Sequence, residues 1–174
     1  MTHKPMPGDK APALSLPLAG GGTLDLSTLS PGAATMVVFY RGYHCPVCKD
    51  YLGRLAAMAP DFAEAGMPVV LVSMDGEARA AKAKDEWGLG DLPVAYGLTE
   101  AQAREWGLYI TNSIKEAEIP VFNEPGTFWV LPDGTLYLID IASMPFARPD
   151  LDILLGRVPA IGNGYPARGT RAAA

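Results

Sequence analysis

Ala34-Thr35-Met36-Val37-Val38-Phe39-Tyr40-Arg41-Gly42-Tyr43-His44-Cys45-Pro46-Val47-Cys48-Lys49 holds the only two cysteines of a 174-residue chain, three positions apart. Met36 to Tyr40 is an apolar run of strand length, rich in β-branched and aromatic side chains, and Gly42 then lets the backbone turn. Pro46 suits the first position of a helix, where a missing N–H costs nothing, and Leu52, Leu55, Ala56 and Ala59 continue at helical spacing. A strand therefore ends at Arg41, and Cys45 sits at a helix N-terminus. Unpaired backbone N–H groups and the helix dipole favour negative charge there, and cysteines so placed titrate at roughly 3.5–7.5 instead of about 8.5. A reactive thiolate is expected. Two inert thiols that merely lie close together is the bland alternative. A zinc site is another use of a CxxC pair, but it needs four ligands, and only His3 and His44 remain as candidates.

Working outward, hydrophobic residues make up 49% of the chain, charged residues 19%, and the net charge is −5. These values fit one mildly acidic globular domain over residues 1–174, with a core over residues 7–156 and an irregular tail over 157–174. They argue against a nucleic-acid partner. The N-terminus has no apolar signal-like stretch and no later run is long enough for a membrane span, so a cytoplasmic protein without membrane association is expected. Cysteines stay reduced in that compartment unless they are catalytic, and a single CxxC agrees better with cycling thiols than with a structural staple.

Residues 1–13 read as an irregular lead-in, and Leu14 to Leu18, Gly20-Gly21-Gly22 and Thr23 to Leu26 as a small peripheral hairpin. The cysteine helix ends at Gly66, with Pro60 as a site of bending. Met67 to Met74 is an unbroken apolar run that suits a strand buried on both faces and parallel to the first. Helices are expected over Glu77 to Trp87, after the capping box Thr99-Glu100-Ala101-Gln102, and after Pro149; Trp87 and Trp106 read as core anchors. Residues 109–124 have no clear period and read as a long loop. Thr127 to Leu131, Pro132-Asp133-Gly134 and Thr135 to Ile139 form the clearest β-hairpin. The last ten residues read as mobile, or held only by a partner subunit.

This order resembles the thioredoxin fold, an α/β fold with a central mixed β-sheet flanked by helices, here with an N-terminal β-hairpin extension. Gly8-Asp9-Lys10-Ala11-Pro12, the Phe39-Tyr40 strand ending, Cys45-Pro46-Val47-Cys48, the hairpin Phe128 to Gly134, and Asp140 to Arg148 together resemble the peroxiredoxin family, the alkyl hydroperoxide reductase and thiol-specific antioxidant proteins. That family places a proline seven residues before its peroxidatic cysteine and a threonine or serine three before it. Counted back from Cys48, those places hold Arg41 and Cys45; counted as a thioredoxin, Cys45 is the attacking thiol and Cys48 the resolving one. Arg148 matches the family arginine at the start of the last helix, while the second family arginine is here Pro125. A proline there resembles the cis-proline that faces the CxxC of thioredoxins, which leaves a cis bond before Pro125 open beside the usual trans form.

The resemblance implies a thiol-dependent oxidoreductase, a peroxidase or a disulfide reductase, that needs no cofactor and cycles a Cys45–Cys48 disulfide. Its partners would be a peroxide or disulfide substrate and a thiol reductant such as a thioredoxin or glutathione system, with a homodimer left open. Arg148 would lower the thiolate pKa and hold the developing oxygen charge, or else form a salt bridge at the helix start. Arg41 would do similar work or cap the surface, and His44 would shuttle protons or stand exposed as a spectator. Cys45, at the helix tip, is expected to be the more exposed thiol with the lower pKa and to attack disulfides, leaving Cys48 for peroxide. The rival from another class is a redox-inert thioredoxin-like binding module.

Overall fold

The protein is seen in a computed structural model that describes residues 4–172, so His3 lies outside the described residues. In chain order the elements are β1 (Ser15–Pro17), β2 (Thr23–Asp25), β3 (Thr35–Phe39), α1 (Pro46–Glu64), β4 (Val69–Val72), α2 (Glu77–Glu86), β5 (Val94–Ala95), α3 (Glu100–Glu105), β6 (Ile110–Asn112), β7 (Val121–Asn123), β8 (Gly126–Val130), β9 (Leu136–Ile141), α4 (Leu151–Arg157) and α5 (Pro159–Gly162). Five strands make one mixed sheet in the order β5-β4-β3-β8-β9, in which β3, β4 and β5 are parallel and β8 and β9 antiparallel.

Because successive side chains of a strand point to opposite faces, the apolar run of β3 feeds two cores at once. Met36 and Val38 join Leu52, Leu55, Phe62 and Trp129 on the side of α1. Val37 and Phe39 join Leu16, Trp106 and Phe128 on the other. There Phe39, Trp106 and Phe128 meet ring to ring, with centroids 4.9 to 5.6 Å apart. Each such side chain removed from water stabilises the fold by roughly 1.5–3 kcal/mol, which makes the central strand a rigid mount for the cysteine turn at its C-terminal end. α1 continues through Pro60 without a break and gives way to Gly66 at φ 86°. Trp87 and Trp106 are core residues as expected, and the capping box of α3 is complete.

Three expectations need correction. The N-terminal hairpin is not peripheral: Leu14, Leu16 and Leu24 are buried in the second core. Its backbone continues the ladder beyond β5 through Ala19 N to Val94 O and Tyr96 N to Pro17 O, which shields that edge from stray pairing. Residues 109–124 are not a plain loop, since β6 and β7 pair antiparallel, Ile110 opposite Asn123. Strands of three residues give too short a pattern to read. The tail starts with α5, and its described part is held by its own chain: Tyr137 Oη donates to Tyr165 O at 2.9 Å, and Thr170 packs near Gly8. Among the described residues, no helix is long and apolar enough to cross a membrane.

Candidate active site

Past Phe39 the chain leaves the sheet through Tyr40 and Arg41 and turns at Gly42, where φ is 132° and an added Cβ would sit 2.7 Å from Asp75 Oδ1. Asp75 is fully buried, and its Oδ2 accepts from Tyr43 N at 2.8 Å, while Gly42 O accepts from Cys45 N at 3.1 Å. These contacts fix the entry to α1. Cys45 is the N-cap residue, and its Sγ accepts from Cys48 N at 3.2 Å, as a serine or aspartate oxygen does at other helix starts. Pro46 opens the helix and no acidic side chain occupies its first turn.

Each sulfur has its own guanidinium. Arg41 Nη1 lies 3.8 Å from Cys45 Sγ, and Arg148 Nη2 lies 2.8 Å from Cys48 Sγ. Arg148 arrives from the segment before α4 and lies 5.0 Å over the Tyr51 ring, while Tyr51 Oη donates to Pro149 O at 2.7 Å and pins that segment to α1. Among the described residues no carboxylate pairs with Arg148, and its Nε and Nη1 are buried without partners. The expected alternative of a helix-start salt bridge is therefore not found, and a thiolate at Cys48 is the counter-charge within reach. Arg41 is no surface cap either: its Nε lies 3.0 Å from Glu124 Oε2 and its guanidinium 4.9 Å over Phe122.

Both thiols are free and both are buried, Cys45 at 1% and Cys48 at 0% exposure. The expected contrast in exposure is absent, because an arginine side chain lies on each sulfur. The contrast is in charge. Cys45 is held down at about 6, first by a hydrogen bond from the Cys48 thiol and then by the Cys48 N–H and Arg41, against its own burial. Cys48 is held well above the ordinary cysteine value by burial and by donating that bond, with Arg148 pulling the other way. At neutral pH the pair thus carries one negative charge and one proton, which is what a nucleophile with an adjacent resolving thiol needs.

His44 is half-buried against Phe122, ring centroids 4.7 Å apart, and burial followed by Arg41 pushes its pKa to about 4. It is neither an exposed spectator nor a proton shuttle at neutral pH. Tyr43 stacks on Trp87 and donates from Oη to Glu86 Oε2 at 2.6 Å. Pro125 is buried and trans, so the thioredoxin-like cis bond is absent; its carbonyl accepts from Ala142 N at 3.0 Å and ties β8 to β9. Sequence reasoning missed Asp75, Tyr51 and Glu124. Glu124 had a signal: the register that pairs Phe39 with Gly126 carries on to set residue 41 opposite residue 124. No group of three or more His, Cys, Asp or Glu side chains is arranged to hold a metal among the described residues. Beside Arg148 a cleft of about 250 Å³ opens among Val47, Tyr51, Arg54 and Phe146.

The chain as a whole is similar to known proteins in sequence and in fold. The AhpC/TSA family model matches residues 7–139. A Mycobacterium tuberculosis protein named "Putative peroxiredoxin Rv2521" is 32% identical over 108 residues, which cover 62% of this chain and 68% of that protein. Among solved structures, peroxidoxin BcpB of M. tuberculosis superposes with a TM-score of 0.74 at 24% identity, covering 91% of this chain and 99% of its own. Reduced 2-Cys peroxiredoxin of Plasmodium vivax gives 0.73 at 14% identity, over 90% and 81% of the two chains, and both structural likenesses bear on the fold alone. The family model covers well over half of the chain and the sequence relative agrees with it, so this thiol-dependent oxidoreductase belongs to the AhpC/TSA family.

Proposed function

We propose that the chain is a thiol peroxidase that reduces a hydroperoxide at Cys48, closes a Cys45–Cys48 disulfide, and is returned to the dithiol by a thioredoxin-like or glutathione-like reductant in the cytoplasm. The observation that supports this reading is the pair of guanidiniums, one on each sulfur, with Arg148 at 2.8 Å from Cys48 and no carboxylate among the described residues to neutralise it. The proton shared by the sulfurs moves from Cys48 to Cys45, leaving a thiolate beside Arg148. That thiolate attacks the terminal peroxide oxygen, the O–O bond breaks, and the leaving alkoxide takes the Cys45 proton. The products are a Cys48 sulfenic acid and an alcohol. Cys45, now a thiolate, attacks the sulfenic sulfur; the S–S bond forms and hydroxide leaves as water with one proton from solvent. Arg148 favours the step by holding charge on the departing oxygen, where preorganised donors matter most. With a disulfide substrate, Cys45 is the attacking thiolate because it carries the charge at rest. The redox-inert binding module finds no support beside the family assignment.

Titration of the reduced protein with hydrogen peroxide tests this directly. Both thiols should disappear together and the intact mass should fall by two hydrogens. Two thiols that remain open to alkylation after excess peroxide would sink the reading. The Cys45→Ser variant should accumulate a sulfenic acid on Cys48 that dimedone traps; if only the Cys48→Ser variant reacts with peroxide, Cys45 is the attacking sulfur.

A further inference from the structure

The acid beside Arg41 is the most unusual side chain near the dithiol. Glu124 is a carboxylate at 4% exposure, on the short link between β7 and β8. Its Oε1 accepts a 2.7 Å hydrogen bond from Thr111 Oγ1 on β6, its N–H donates to Tyr109 O, and its carbonyl accepts from Asn123 Nδ2 at 3.1 Å. Asn123, fully buried, also donates to Tyr40 O at 3.2 Å, so the same link is stitched to the end of β3. Glu124 is thus fixed from both sides before it meets a cation. Its contact with Arg41 Nε at 3.0 Å is close but poorly aligned, because neither atom has a hydrogen-bond partner of good geometry. The firm bond goes to Thr111, and the guanidinium stays free to present Nη1 to Cys45 Sγ at 3.8 Å.

We propose that Glu124, locked by Thr111, is a positioning residue that aims the Arg41 guanidinium at Cys45, which makes the β6–β7 hairpin the arm that tunes the reactive thiolate. The proposal rests on the dithiol reading of the site. A carboxylate this near a thiolate has two opposed effects. Its own charge disfavours the thiolate, while its hold on Arg41 favours it by keeping a cation at 17% side-chain exposure from swinging into solvent. The geometry gives the second effect the advantage, because Arg41 stands between Glu124 and the sulfur and touches both. The other charged groups near Arg41 and Cys45 do not replace it. His44 is neutral, Glu118 is on the exposed loop and occupied by the Ile114 and Lys115 N–H groups, Asp75 accepts from Tyr43 N with Oδ2 and turns Oδ1 to Gly42, and Arg148 serves Cys48.

A thiolate titration of the reduced full chain, read as absorbance near 240 nm against pH, separates aiming from neutralisation by sign and needs no turnover. Glu124→Ala should raise the midpoint of the first thiol by about half a pH unit, as Arg41→Ala does, with no further rise in the double variant. Thr111→Val, which keeps the shape of the side chain and removes only its donor, should raise it in the same direction by less. A lower midpoint in Glu124→Ala would mean that the acid neutralises Arg41 instead of aiming it, and a further rise in the double variant would mean that the two act separately; either overturns the proposal. If Glu124→Ala does not fold, the sign of the Thr111→Val shift decides. Failure of the dithiol reading is recognised apart from these outcomes, as a wild-type protein with no thiol titrating below the ordinary cysteine range.

Discussion

His44 shows how far the fold can move one residue from its sequence-level expectation. Beside a reactive cysteine, an imidazole suggests proton transfer, yet this one is half-buried against Phe122 with both ring nitrogens unpartnered and a pKa pushed to about 4. Its folded pKa lies below the unfolded value of 6.5, so the stability it allows is fully present above 6.5 and is lost as pH falls towards 4. The charged groups that face it are Arg41, Arg79, Lys115 and Glu118. The wild-type protein should therefore lose on the order of 1 kcal/mol between pH 7 and pH 4.5, a figure discounted for the half of the ring that water reaches. His44→Phe keeps the ring contact and removes the titration. Urea unfolding of both proteins at several pH values checks this: the gap should open in favour of the variant as pH falls, and parallel curves would show that His44 is charged at no cost. The site was legible in the sequence as far as Cys45 at a helix start. The second-rank residues were not, because Asp75 and Glu124 gain their meaning only from burial and from Gly42 and Arg41 lying across from them.

Elements were legible where the pattern was long. The runs of β3, β4, β8 and β9 and the capping box of α3 each extend over enough residues to set a period, whereas β6 and β7 have three residues each, and their pairing is decided by the buried Phe122 and by Asn123 reaching Tyr40 O. The edge hairpin β1–β2 was seen as a hairpin but not as part of the core, since its burial depends on its pairing with the distant edge of β5. Gly126, the first residue of β8, lies where these elements converge. A Cβ there would fall 2.5 Å from Leu108 Cδ2 and 3.0 Å from Phe128 Cε2, in a core where both side chains are already buried. Gly126→Ala should destabilise the protein by roughly 1–3 kcal/mol, the usual cost of overpacking. Both sulfurs and their arginines lie on other elements, so the number of peroxide-reactive thiols should stay at its wild-type value. A denaturant midpoint that does not move would show that Leu108 can step aside without loss.

At the scale of the whole molecule, the fold spends its central sheet on bringing residues 41, 45, 48, 124 and 148 to one end of β3, and no local pattern announces that convergence. What made Arg148 visible was the family resemblance, while its isolation from any carboxylate among the described residues was visible only in three dimensions. That isolation separates its two possible roles. A structural arginine is held by an anion, and losing it leaves that anion buried and unpaired. Arg148 has the Cys48 sulfur and the Tyr51 ring instead, and α4 docks on the core through Leu151 and Leu154 without its help. Arg148→Ala therefore removes a cation that the fold does not need. Its melting temperature should stay within about 2 °C of wild type, since a change under roughly 0.5 kcal/mol moves a domain of this size no further. The rate of thiol oxidation by peroxide should fall by about 10²–10³, the usual cost of losing one preorganised donor to a developing oxyanion. Stopped-flow oxidation and thermal unfolding of the same preparation measure the two together. A sharp loss of melting temperature with the rate preserved would make Arg148 a strut of the α1–α4 contact, and the leaving oxygen would then have to rely on Arg41 and the helix N-terminus alone.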